Sequence, residues 1–308
     1  MDELPTGPLD ANVEQQRRQG AAALGMGGAP LQPGAQLGRF VLGPSLGAGG
    51  SACVFRARDT EAGRDVALKV LRNPGAWRSA STVRRAFLAE ARALAKLEHP
   101  GIVRVFDAGV LGGHAVLVME LVQGPTLEGW LAQAPRSSAE ICAVWLALCS
   151  AVEAAHAVDV VHRDLKPSNV IVTAPGSIKL LDFGLARAVE GRIATASSTV
   201  HGSGGYTAPE RLRGETGGPA ADQYGLAVLL AVALGSPVPT LGSPAALPPH
   251  GRLHASLARA MAEDPQARHA SVAAFARSVR RATRARWPVA LAAALLIVVA
   301  AVAIKSAG

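Results

Sequence analysis

Eight consecutive residues, His162-Arg163-Asp164-Leu165-Lys166-Pro167-Ser168-Asn169, constrain this chain more than any other feature. Thirteen positions after Asn169 comes Asp182, which opens Asp182-Phe183-Gly184. Two carboxylates, an amide and a cation at these spacings serve one site only if the rest of the chain gathers them. The rest divides sharply at that run. Before it, Arg39 to Leu46, Ala52 to Arg58 and Asp65 to Leu71 read as strands, the last two around a turn at Glu61 to Arg64. Ser81 to Glu98 has helical periodicity, with apolar Val83, Phe87, Leu88, Ala91, Leu94 and Leu97, and His99-Pro100 ends it. Ile102 to Val110 and His114 to Leu121 read as a hairpin turning at Gly112-Gly113. Beyond Gln123-Gly124-Pro125 helices dominate, at Ala139 to Val158 and near 220–234, 253–263 and 271–283. Strands first and helices after predict an α+β protein with two lobes.

The residue types point to phosphoryl transfer. That chemistry needs a cradle for phosphates, a cation on them, metal ligands and a group that orients the attacking hydroxyl. Leu46-Gly47-Ala48-Gly49-Gly50-Ser51-Ala52-Cys53-Val54 supplies a cradle, since glycine lets backbone amides approach phosphate closely. Lys69, in Val66-Ala67-Leu68-Lys69, supplies the cation, and Glu90 on the following helix is its expected partner. Asp164 can accept a hydroxyl proton. Lys166 can contact the transferring group. Asn169 and Asp182 offer oxygen to Mg²⁺ or Mn²⁺.

These motifs resemble the bacterial eukaryotic-like (Hanks-type) serine/threonine protein kinases. The resemblance covers about residues 39 to 283 and implies a two-lobed kinase fold with ATP between the lobes. It implies a domain over 38–283, with an N-lobe at 38–121 and a C-lobe at 125–283. By position Met119 resembles the gatekeeper and Glu120 to Val122 the hinge, with Leu46, Val54, Ala67 and Ile171 around the adenine. Tyr206-Thr207-Ala208-Pro209-Glu210 resembles the end of an activation segment, in which Glu210 pairs with Arg268 and Asp222 braces the catalytic loop. Arg163 before the catalytic Asp implies control by phosphate on Thr195, Ser197, Ser198 or Thr199, with autophosphorylation in a homodimer as one route. Two departures touch rate and specificity. Ala52 stands where the pattern has its third glycine, and Gly235 to His250 is short and Pro-rich. They motivate the alternative of a catalytically weak pseudokinase or scaffold. A small-molecule phosphotransferase is a third reading, disfavoured by the Ala-Pro-Glu segment.

Charge and hydropathy add a second expectation. Of the net +8, Arg277, Arg280, Arg281, Arg284 and Arg286 fall in one stretch. Trp287 and 17 residues without charge, Pro288 to Ile304, follow it. At about 1.5 Å per residue such a run spans roughly 26 Å, near the thickness of a bilayer core. Arginines before it suit a cytoplasmic flank. A single-pass C-terminal anchor at 287–304 in the inner or plasma membrane is therefore expected, behind a basic segment starting at 284. The kinase domain would then be cytoplasmic. Residues 1–37 read as a disordered leader, and the acidic start without an apolar run predicts no secretory signal. No nucleic-acid motif accompanies the basic charge, so nucleic acid is not an expected partner. Cys53, Cys142 and Cys149 match neither a zinc site nor a disulfide framework, consistent with a reducing compartment.

Overall fold

A computed structural model describes residues 31–48, 52–71, 88–89, 91–183, 204–239, 247 and 252–284. The first lobe is an antiparallel sheet of β1 (Gln36–Leu37), β2 (Phe40–Ala48), β3 (Ala52–Asp59), β4 (Arg64–Leu71), β5 (Val105–Leu111) and β6 (His114–Glu120). Their order is β1-β2-β3-β4-β6-β5. Gly112 and Gly113, both at positive φ (56° and 82°), close the two-residue β5–β6 hairpin, the backbone that such turns demand.

Period-two alternation gives this sheet two working faces. Val66, Leu68 and Val70 of β4 join Phe40, Phe55, Val116 and Val118 in an outer cluster. Ala67 and Leu71 face the other way, with Leu117 and Met119. Lys69 lies between them, on that second face. Residues 31–37 belong to the stretch read from composition as a disordered leader, whose residues 1–30 lie outside the described residues. Residues 31–37 are packed: Leu31 and Leu37 are buried in the outer cluster, and the Gly34 amide donates to Leu42 O at 2.7 Å. Two apolar side chains with a sheet face to cover outweigh the local Pro and Gly content. β5 also begins later than expected. Ile102 is taken by a parallel bridge to Leu180 in the second lobe.

The second lobe contains α1 (Leu127–Gln133), α2 (Ser138–His156), a two-stranded ribbon of β7 (Val170–Ala174) and β8 (Ser177–Leu180), α3 (Pro209–Leu212), α4 (Pro219–Ala233), α5 (Arg252–Ala260) and α6 (Val272–Arg284). A reciprocal capping box starts α2: Ser137 accepts from the Glu140 amide, and the Glu140 carboxylate accepts from the Ser137 amide. By length and composition α2 could cross a membrane. It is instead the central core helix, burying Ile141, Val144, Trp145, Leu148 and Val152. Trp145 donates to Leu226 O of α4 at 2.8 Å and meets Phe275 of α6 edge-on at 5.0 Å. Among the described residues only α2 passes that length and composition test. The expected span at 287–304 lies outside the described residues.

Candidate active site

The eight-residue run leaves strand geometry at His162 and returns to it at β7. His162 is fully buried. Its Nδ1 accepts from the Asp164 amide at 3.2 Å, so the ring proton is on Nε2, which donates to Leu181 O at 2.7 Å. Burial pushes the imidazole below its ordinary pKa, with Asp222 opposing, and the neutral ring matches those two bonds. The ring also packs on Phe183, centroids 4.7 Å apart. His162 thus ties the loop carrying Asp164 to the segment carrying Asp182.

Arg163 follows with φ +65°, a left-handed conformation costly for a residue with a Cβ. Asp222, buried at the start of α4, holds it there. Its Oδ2 accepts from the His162 amide at 2.9 Å and Oδ1 from the Arg163 amide at 2.8 Å. His156, at the end of α2, lies 2.8 Å from the same Oδ2. Gly225, three residues after Asp222, allows α4 to approach the loop: a Cβ there would sit 3.1 Å from Leu165 Cβ.

Four of the sequence-predicted catalytic side chains converge beyond this brace, and a fifth reaches them from the first lobe. Asp164 Oδ2 is 2.8 Å from Lys166 Nζ and accepts from Asn169 Nδ2 at 3.2 Å. Asn169 Nδ2 also donates to Asp164 O at 2.8 Å. A carbonyl partner fixes the amide orientation, because only nitrogen can donate, and leaves Asn169 Oδ1 as an acceptor. The Leu181 amide donates to Asn169 O at 2.8 Å, which sets Asn169 beside Asp182. Asp182 has φ +55°. Its Oδ1 is 2.7 Å from Lys69 Nζ, which reaches it from β4 across 113 residues of sequence. Burial alone would raise the Asp182 carboxyl pKa. Lys69 offsets it, with smaller help from His162 and Lys166, and holds the group below its ordinary value. Glu90, the expected partner of Lys69, lies outside the described residues, as does Gly184.

Asn169 and Asp182 present hard oxygen donors, the chemistry that suits Mg²⁺ or Mn²⁺. No group of three or more His, Cys, Asp or Glu gathers among the described residues. A cation with two protein ligands would complete its shell from phosphate and water, as Mg²⁺ characteristically does.

The predicted nucleotide residues fall on both lobes. Gly47 pairs with Val54 and Ala48 with Cys53 at the end of the β2–β3 hairpin, and Leu46 is exposed beside them. Ala52 is buried at the start of β3. Gly49, Gly50 and Ser51 lie outside the described residues. Cross-strand register puts Val54 opposite Lys69, and Ala67 opposite Met119, so all four share the inner face. Ile171 sits on β7, bridged to Thr126. Glu120 ends β6, and its Oε1 lies 2.5 Å from Lys179 Nζ of β8. Val122 follows in the connection between the lobes. Gly124 completes that connection with φ +139°; a Cβ there would lie 2.4 Å from Val172 O.

Below the cleft, Arg268 is fully buried and forks onto Glu210 at 2.8 and 2.7 Å. Its other donors reach Ala262 O at 2.9 Å and Ala220 O at 2.8 Å. The pair fastens α3 to the turn before α6. Thr195, Ser197, Ser198 and Thr199 lie outside the described residues. Two structural partners carried no sequence signal. His156 shows no metal spacing in the sequence, yet it contacts Asp222. Lys179 is an ordinary strand lysine, yet it joins the lobes.

A family model for the protein kinase domain matches residues 40–248. Serine/threonine-protein kinase PknL of Mycobacterium tuberculosis is 35% identical over 234 residues, 76% of this chain and 58% of PknL. Serine/threonine-protein kinase PknA of Mycobacterium bovis is 39% identical over 198 residues, 62% of this chain and 46% of PknA. The chain therefore spans about half the length of these relatives, 58% of PknL and 46% of PknA. The crystal structure of the Mycobacterium tuberculosis PknI kinase domain superposes with a TM-score of 0.66 at 28% identity, covering 82% of this chain and 98% of that one. The chain belongs to the protein kinase family, in its bacterial Hanks-type serine/threonine branch.

Proposed function

We propose that this chain transfers the terminal phosphoryl group of ATP to Ser or Thr hydroxyls of proteins, from a membrane tether. One observation carries the catalytic part: Lys69, Asp164, Lys166, Asn169 and Asp182 meet at one site, on a loop whose backbone Asp222 holds.

The residues divide the work as follows. Asp164 Oδ2 is engaged by Lys166 and Asn169, and Oδ1 accepts the hydroxyl proton as the substrate oxygen bonds to phosphorus. The bond to the β-phosphate oxygen breaks in the same displacement, and ADP leaves. Lys166, 2.8 Å from Asp164, carries positive charge to the transferring group. Lys69 neutralises phosphate charge from the inner sheet face. Asn169 and Asp182 would hold a divalent cation, which supplies charge neutralisation on the phosphates. Glycines at 47, 49 and 50, with Ala48, Ser51 and Ala52, cover the phosphates. Leu46, Val54, Ala67, Met119 and Ile171 enclose the adenine, and Glu120 to Val122 offer backbone groups to it.

The regulatory part rests on Arg163 beside Asp164, which suits pairing with a phosphate on Thr195, Ser197, Ser198 or Thr199, placed by autophosphorylation between two copies. The tether rests on the uncharged run at 288–304 behind five arginines. It puts the domain at 38–283 on the cytoplasmic face of the membrane.

Full-length protein given a divalent cation and γ-labelled ATP, beside Asp164→Asn, tests the activity. Equal label in both proteins would sink it and favour a scaffold. Phosphopeptide mapping between Arg192 and Ser203 tests the regulatory part, and active protein without phosphate there counts against it. Fractionation of cells expressing the full chain tests the tether. Recovery in the soluble fraction refutes it.

A further inference from the structure

The arginines near the C-terminus do not all belong to a linker. Arg277, Arg280, Arg281 and Arg284 lie within α6, whose last described residue is Arg284. At 3.6 residues per turn these four positions fall within about 100° of arc. Val272, Phe275, Val279 and Ala282 fall on the opposite side and are buried, at 1%, 0%, 1% and 7% exposure. The core therefore fixes which way the basic stripe points. Arg277, Arg280 and Arg281 are exposed.

No described residue on the neighbouring surface neutralises Arg277, Arg280 or Arg281. Neither α6 nor α5 contains an Asp or Glu. No ion pair joins Arg277, Arg280 or Arg281 to a described residue. α5 packs beside α6 and adds exposed Arg252 and Arg259. Carboxylates on the segments that precede or pack against α6 have other partners. Glu153 accepts from the Ala273 amide at 2.9 Å, Glu263 lies 3.7 Å from Arg213, and Asp264 accepts from the Gln266 amide. A solvated helix face ordinarily mixes both signs. This one carries a single sign and runs straight into Ala285-Arg286-Trp287 and the uncharged stretch.

We propose that the arginine face of α6 is a docking surface for an anionic lipid leaflet, so that the kinase domain lies on the membrane in one orientation. The inference rests on the tethered reading above. α6 packs only against second-lobe elements, α5, α2 and α4, among the principal contacts between described elements. A bilayer on its outer face therefore leaves the cleft between the lobes open to protein substrates. The physical basis is the attraction of clustered arginine for an anionic surface, short-ranged and weakened by salt.

The test uses the full chain in nanodiscs of phosphatidylcholine, with or without about a third phosphatidylglycerol. Phenylglyoxal modification of each arginine is followed by mass spectrometry. Modification of Arg277, Arg280 and Arg281 is expected to slow about tenfold in the anionic discs and to recover at about 0.5 M salt. Arg56 and Arg58 on the first-lobe sheet should react alike in both. Equal rates at α6 in the two discs would overturn the docking surface. Failure of the chain to enter either disc would refute the tether instead. Sedimentation with anionic vesicles then decides the docking. Pelleting that is lost in R277Q/R280Q/R281Q upholds the surface, and no pelleting, or pelleting unchanged in that variant, overturns it.

Discussion

Asp222 accepts hydrogen bonds from the backbone amides of both His162 and Arg163, at 2.9 and 2.8 Å, from a helix about 60 residues further along the chain. One buried carboxylate thus sets the backbone from which Asp164 projects. Asp222→Asn keeps the shape but replaces one acceptor oxygen with a donor, which faces an N–H group. A loss of about 2–4 kcal/mol in stability is expected, since a buried donor loses a charged acceptor. Turnover should fall at least about tenfold through misplacement of Asp164. Urea unfolding and phosphate incorporation read the two effects, and a variant with an unchanged unfolding midpoint would contradict the brace.

The Glu210–Arg268 pair is buried at both ends. Glu210→Gln or Arg268→Met leaves its partner charged and unpaired, which costs about 3–5 kcal/mol. Changing both partners to apolar residues of similar volume should cost less than the two single changes added together. A double-mutant cycle in urea is the measurement. Additive losses would show that the two side chains act separately.

Gly124→Ala should destabilise the protein by about 2–4 kcal/mol. The new Cβ would lie 2.4 Å from the Val172 carbonyl, and φ is already +139°. Gly214→Ala is the control. Its φ is +86°, but nothing lies within 4 Å of the added methyl, so only backbone strain remains. Comparable thermal shifts in the two variants would show that the close approach at Gly124 is relieved at no cost.

Stability should fall as pH drops below about 6.5. His162 has an ordinary value of 6.5, and its folded-state value is lower, chiefly through burial. The unfolded chain then binds the proton first, so full stability is present above 6.5 and is lost as pH falls toward the folded value. His99, His114 and His269 are lowered for the same leading reason and act in the same direction. His162 alone can contribute at most about 1.4 kcal/mol per pH unit. Urea unfolding at about pH 7.5, 6.5 and 5.5, on either side of the ordinary histidine value, gives the slope. Greater stability at the acid end of that range than at the alkaline end would reverse the sign.

Much of the site was legible because its residues are contiguous. Asp164, Lys166 and Asn169 come within six positions, and their meeting needs little beyond the local turn. The strands β4 and β6 were legible as short apolar runs, with β-branched Val66, Val70, Val116 and Val118 all on one face. The helix boundaries came within a few residues, as capping signals such as Ser137 and Glu140 are local. Other features escaped a local reading. His156 contacts Asp222 across 66 positions, and Lys179 meets Glu120 only because β8 passes beneath the hinge. Leu31 looked like part of a loose leader because its burial depends on a sheet face formed later in the chain.

The sequence by itself determined which chemistry the chain carries and in what order its lobes are built. Residue type sets donor, acceptor and charge, and periodicity sets strand or helix, both over short distances. Tertiary structure decided which groups meet: Lys69 with Asp182, Asp222 with the amides after Val161, and Arg277, Arg280 and Arg281 on the face of α6 that the core leaves outward. Those outcomes depend on how distant apolar surfaces pack, and the packing brings together residues that no local spacing relates.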